Sequence, residues 1–105
     1  MKKKLAKYKE EDIIFTKHSL VQMDHRQISR KDVINDIINP AKLVFVRVRD
    51  AKEKHYDCFF EKSKRRGHVY GIIINDKCLV VTAIKIGRKW QKRVDRYAKK
   101  VQYKL

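Results

Sequence analysis

The spacing of hydrophobic positions changes repeatedly along this chain, and each change predicts an element. Residues 1–11 set Leu5, Ala6 and Tyr8 among lysines and predict a basic N-terminal arm or a short helix. Residues 12–15 form a brief strand candidate. Lys17 to Arg26 reads as a helix with Thr16 as its N-cap. Ser29 then caps a second helix, with Asp32 three residues later as a short-armed version of the capping box. Val33, Ile34, Ile37 and Ile38 follow at helical spacing, and Asn39-Pro40 ends the run, because proline disfavours helical geometry in the residue before it. From residue 41 the period drops to two. In AKLVFVRVRD (41–50), Val44, Val46 and Val48 fall on one side and Leu43, Phe45, Arg47 and Arg49 on the other. HYDCFFEK (55–62) is a weaker strand, SKRRG (63–67) a basic turn, and HVYGIII (68–74) and CLVVTAIKI (78–86) are strong strands joined by Asn75-Asp76-Lys77. Residues 88–105 return to helical spacing. Trp90, Val94, Tyr97, Ala98, Val101 and Leu105 share a stripe about 100° wide.

This order predicts an α+β domain. A mostly antiparallel sheet of four to five strands carries two N-terminal helices on one face, and a C-terminal amphipathic helix follows. At 105 residues one domain is expected, spanning the whole chain. An apolar content of 43% is too high for a disordered chain, which lacks the burial to offset backbone entropy. The apolar runs are too short to span a bilayer, and the start MKKKLAKYKEED has no apolar signal region, so a cytoplasmic protein without membrane contact is expected. Cys58 and Cys78 sit in apolar strand runs and predict buried, reduced thiols. With no CxxC or Cys/His spacing, neither a structural zinc nor another cofactor is expected.

Charge changes the picture more than composition does. Lys and Arg number 28 against 12 Asp and Glu, a formal net charge of +16. Self-repulsion on that scale calls for an acidic counterpart. Nucleic acid comes first, because neutralising phosphates releases counterions. An acidic protein comes second and an anionic membrane surface third. The polar side of the last predicted helix holds Arg88, Lys89, Lys92, Arg93, Arg96, Lys99 and Lys100, with Asp95 the only acid. Mixed exposed faces usually intersperse signs, so this side reads as a phosphate-tracking or partner-binding face.

The segment FTKHSLVQMDHRQIS (15–29) raises the question of chemistry. On a helical wheel His18, Gln22 and His25 cluster within about 60°, with Leu20 and Met23 roughly opposite. The two imidazoles therefore face away from the core, with Arg26 to one flank. RNA can be cut without metal: its 2′-hydroxyl attacks the adjacent phosphate while a base and an acid move protons and a cation stabilises the phosphorane. Histidine suits the proton transfers and arginine the charge. His68 follows the basic turn and is a further candidate; His55 reads as neutral. The plain alternative is that these are ordinary surface histidines. Arg47, Arg49, His68, Tyr70 and Lys85 interrupt apolar strands. With helices on one sheet face, the other is expected to gather them for phosphates and unpaired bases; the plain reading is that they solvate strand ends.

The first helices also resemble the signature of a small-domain family of unknown function in the RelE/ParE-like toxin superfamily, near BrnT. Thr16, His18, Met23, Arg26, Ile28, Ser29, Asp32, Val33, Asn39 and Pro40 match its pattern. Ser19, Gln22 and Gln27 depart, where the pattern favours Ala, Arg and Gly. The likeness spans roughly residues 13–87 and is most specific over the first helices. It implies a compact sheet with two helices packed on one face. It also implies a ribonuclease-type toxin acting on messenger or transfer RNA and neutralised by an acidic antitoxin. The expected site is His18 as general base or acid, His68 or His25 as the second proton-transfer group, and Arg26 on phosphate. Arg47, Arg49, Arg65, Arg66, Tyr70, Lys85, Arg88, Lys89, Lys92 and Arg96 are expected to bind the nucleic acid. The rivals are a non-catalytic nucleic-acid-binding module of the same fold and a protein that mainly binds an acidic partner.

Overall fold

The computed structural model describes residues 1–87. The predicted C-terminal helix, with Arg88, Lys89, Lys92 and Arg96, lies outside them. The fold is α+β. A short helix, α1 (Lys2–Ala6), precedes a three-residue strand, β1 (Ile13–Phe15). Helices α2 (Lys17–Arg26) and α3 (Arg30–Ile38) follow, then strands β2 (Leu43–Asp50), β3 (His55–Ser63), β4 (Arg66–Ile74) and β5 (Cys78–Ile86). The five strands form one mixed sheet in the order β1-β5-β4-β3-β2. Successive strands β2 to β5 pair antiparallel, and β1 lies parallel to β5, with Ile13 opposite Cys78.

Local chemistry sets the helix limits. Thr16 accepts a hydrogen bond from the Ser19 backbone N–H (3.1 Å), and the Ser19 hydroxyl donates to the Thr16 carbonyl (2.8 Å). Helix α2 ends at Gln27, whose φ of 55° and ψ of 45° are left-handed, and the Ile28 N–H reaches back to the Met23 carbonyl at 2.9 Å. A side chain pays a steric penalty there that glycine avoids. Ser29 caps α3 by accepting from the Asp32 N–H at 3.0 Å, while the Asp32 carboxylate turns towards Lys62, 3.9 Å away, instead of completing a reciprocal box. Helix α3 stops at Ile38, and Pro40 opens a single 3-10 turn.

All three helices pack on one face of the sheet. Leu5, Met23, Val33 and Ile37 meet Val46, Cys58, Phe60, Tyr70 and Ile72 in one apolar core. Cys58 and Cys78 are buried free thiols, as the sequence predicts. Burial pushes both thiols up, Cys78 to about 12, so neither is an accessible thiolate. The second face carries a smaller apolar cluster of Phe45, Phe59, Val69 and Ile86. Strand β2 departs from strict alternation. A register shift between Leu43 and Phe45 sends Leu43 into the main core and Val44 to the second-face cluster, opposite to the simple period-two reading. Among the described residues, no helix is long and apolar enough to cross a membrane.

Candidate functional site

The sheet register sorts the strand-borne polar groups onto two faces. On the helix side, Phe60, His68 and Lys85 are cross-strand neighbours, and the next row is Cys58, Tyr70 and Ala83. On the other side, Arg47, Asp57, Gly71 and Thr82 form one row across four strands, and Phe45, Phe59, Val69 and Ile84 form the row beside it. The single surface expected from Arg47, Arg49, His68, Tyr70 and Lys85 is therefore divided. The arginines lie on the second face, and the other three lie under or beside the helices. The cause is parity: strand register, set by loop lengths and shifts, decides which face an odd or even position reaches.

On the helix side a buried chain of hydrogen bonds runs from Lys62 to His68. The Lys62 ammonium donates to both oxygens of Asp36 at 2.9 Å. The Tyr70 hydroxyl donates to Asp36 Oδ2 at 2.6 Å. Its only hydrogen is then used, so the 2.8 Å contact between Tyr70 Oη and His68 Nδ1 has the imidazole donating. The hydrogen-bond pattern thus assigns His68 the Nδ1–H tautomer, leaving the lone pair on Nε2. Burial, helped by the Lys62 ammonium, pushes the His68 pKa down, with Asp36 and Asp32 opposing. Tyr70 is held far above the ordinary phenol range by burial and by Asp36. Asp36 is only 4% exposed and Tyr70 fully buried, so this chain ties α3 to the sheet.

The second face is built differently. Asp57 Oδ2 accepts from Arg47 Nε at 3.1 Å and Arg47 Nη2 at 2.5 Å, and Arg49 Nη1 stands 3.5 Å away. One carboxylate thus faces two guanidiniums, and Arg49 keeps half its side chain exposed. Gly71 completes the row. A Cβ there would collide with the Thr82 hydroxyl and stand 3.3 Å from Asp57 Oδ1 and 3.5 Å from His55 Nε2. The Gly71 N–H donates to Thr82 Oγ1 at 3.0 Å. Arg47, Arg49, His55, Asp57 and Thr82, together with Gln22 from α2, line a hollow of about 230 Å³ whose other wall is Phe59, Val69, Ile84 and Ile86. Among the described residues, larger hollows, about 540 Å³ beside Lys4 and Lys7 and about 730 Å³ beside α3, gather no comparable set of polar groups around a buried carboxylate.

The helix α2 groups stand apart from this hollow, with one exception. His18, His25 and Arg26 are exposed and make no hydrogen bond or ion pair among the described residues. Gln22, expected beside the histidines on the outer face, instead accepts from the Ala83 N–H at 3.0 Å. Thr16 bonds to Val80 and Val81, so α2 climbs β5 and carries Arg26 towards the end that holds Lys85. At that end Arg65, Arg66 and Lys85 line a further basic hollow of about 330 Å³. His55, which reads as neutral in the sequence, lines the second-face hollow, and it alternates with Asp57 and Phe59 on one face of β3. Compared with known proteins, the chain matches no protein-family model, no curated protein and no solved structure.

Proposed function

We propose that the protein binds RNA across the second face of its sheet and cuts it without metal. The observation that carries this reading is the convergence of Arg47, Arg49, His55 and Asp57 on one hollow in a chain of net charge +16. His55 takes the proton of a 2′-hydroxyl. The freed oxygen attacks the adjacent phosphorus, the bond to the 5′-oxygen breaks, and the imidazolium returns its proton to that leaving oxygen. The products are a 2′,3′-cyclic phosphate and a 5′-hydroxyl. Arg49 and Arg47 offset the charge that builds on the phosphorane, which is where fixed cations accelerate such a step most. The likeness of the first helices to RelE/ParE-like toxins adds to this reading, and with it the role of a toxin held in check by an acidic partner.

The test is labelled RNA with purified protein in EDTA. Cyclic-phosphate products are expected, and His55→Gln should lower the rate by about 10²–10⁴-fold while RNA affinity stays. A rival assignment places the chemistry on α2, with His18 as base, His25 or His68 as partner and Arg26 on phosphate. It predicts the opposite result: His18→Ala silent in binding but dead in cleavage, and His55→Gln active. A non-catalytic RNA-binding module is favoured by one observation, that His68, the imidazole with the best-fixed tautomer, is 7% exposed and locked in the α3 clamp. That reading predicts steep salt-dependent affinity and no products.

A further inference from the structure

We infer that the second-face hollow is a subsite for one unpaired nucleobase, with the neighbouring phosphate on Arg49. The inference rests on RNA being the ligand and adds which form of RNA the protein takes.

The two rows that frame the hollow have opposite character. Phe59, Val69 and Ile84 form an apolar wall; Asp57, Gly71 and Thr82 form a polar one. A base has the same division, with flat apolar faces and an edge of donors and acceptors. The polar row offers both kinds of group. Among the described residues the guanidinium contacts to Asp57, from Arg47 and Arg49, go to Oδ2, and Oδ1 points to the space above Gly71, placed to accept. Thr82 Oγ1 already accepts from the Gly71 N–H, so its hydroxyl hydrogen is left to donate. Gln22 Oε1 accepts from the Ala83 N–H, which turns its amide NH₂ into a further donor.

Size narrows the choice. At about 230 Å³ the hollow is smaller than sites for drug-sized molecules, which run to roughly 300–1,000 Å³. It has room for a ring system and not for a base pair. Because Gly71 has no side chain, Thr82 Oγ1 and Asp57 Oδ1 lie close over the strand backbone, and these two groups supply the polar side of the hollow. Arg49, half exposed at the rim and sharing Asp57 with Arg47, is placed for the phosphate. Every base has an edge with a donor next to an acceptor. The subsite therefore separates unpaired from paired RNA and does not single out one letter.

Two measurements on the full chain test this. In the first, a labelled single-stranded RNA and the duplex of the same sequence are compared by anisotropy in EDTA, each with the unmodified protein and with Thr82→Met, whose longer side chain lies across the hollow. The duplex should bind about tenfold more weakly, as for loss of one stacked base, and Thr82→Met should abolish that difference. In the second, amide NMR spectra are followed with uridine 5′-monophosphate and with ribose 5-phosphate. The nucleotide should move the Gly71 and Thr82 signals, and the sugar phosphate should not. Equal affinity for duplex and single strand, or matching shifts from ribose 5-phosphate, would overturn the inference. The NMR comparison holds even if Thr82→Met does not fold. RNA that binds preferentially as a single strand but stays intact refutes the cleavage step and leaves the subsite standing.

Discussion

The two faces of the sheet carry similar side chains to different ends. On the helix side, Lys62, Asp36, Tyr70 and His68 satisfy one another in sequence, and each donor finds a buried acceptor. On the second face, Arg47 and Arg49 share one oxygen of Asp57, while its other oxygen faces a hollow. A buried network whose members bond one another leaves little for a ligand beyond the Nε2 lone pair of His68, and it contributes rigidity. A network whose carboxylate keeps one oxygen towards a hollow, with Arg49 half exposed beside it, is held by the fold and still accessible. The contrast is between holding the structure together and presenting it.

The largest way to break that contrast is Asp36→Ala. It leaves the Lys62 ammonium and the Tyr70 hydroxyl facing a buried gap, and should cost about 3–5 kcal/mol in urea unfolding. RNA affinity per folded molecule should not change; a parallel loss of binding would show that the faces are coupled. Tyr70→Phe is the milder version. It removes the hydroxyl that links Asp36 to His68, and a loss of about 1–3 kcal/mol is expected.

Next in size is a gain. Gln27 holds a left-handed conformation, which glycine adopts without the steric cost that a Cβ brings. Gln27→Gly should raise stability by about 1 kcal/mol, read as a higher urea midpoint with unchanged slope. A neutral or negative result would mean that the Gln27 side chain makes up the difference.

The pH dependence sharpens the helix-side half. His68 has a folded pKa below its unfolded value because burial and Lys62 oppose its charge. Below the unfolded value, near 6.5, the unfolded chain binds the extra proton and the folded one does not. Stability from this group is therefore complete above that pH and is lost as pH falls towards the folded pKa. Thermal melts from pH 7 to pH 5 should show a decline that is shallower in His68→Gln. The smallest stability effect belongs to the other face. Arg49→Ala should move unfolding by no more than about 0.5 kcal/mol, yet weaken RNA binding and reduce its salt slope by about one.

How far the sequence reached follows from which physics is local. The caps at Thr16 and Ser29, the stop at Asn39-Pro40 and the strands of the sheet depend on neighbours within a few residues, and all were legible. Face assignments were not. The shift near Leu43 exchanged it with Val44, and the division of Arg47 from Tyr70 depends on pairings across three strands. On a wheel Gln22 clusters with His18 and His25, but in the fold its side-chain oxygen accepts from the Ala83 N–H, next to the register shift between β4 and β5. The alternation of His55 with Asp57 is legible in sequence, but only register brings Thr82 to the same hollow.

The parallel strand β1 has a consequence for how the chain folds. Its sheet partner is β5, so Ile13 must wait for Cys78 to be made. Strands β2 to β5 follow one another as hairpins with nearby partners, whereas closing this long loop carries a greater entropic cost. The β1 edge is therefore expected to dock after the hairpins have formed. Pulsed hydrogen exchange during refolding should find the β3–β4 amides protected before the β1–β5 edge, where Ile14 pairs with Leu79, and the reverse order would contradict this sequence of events.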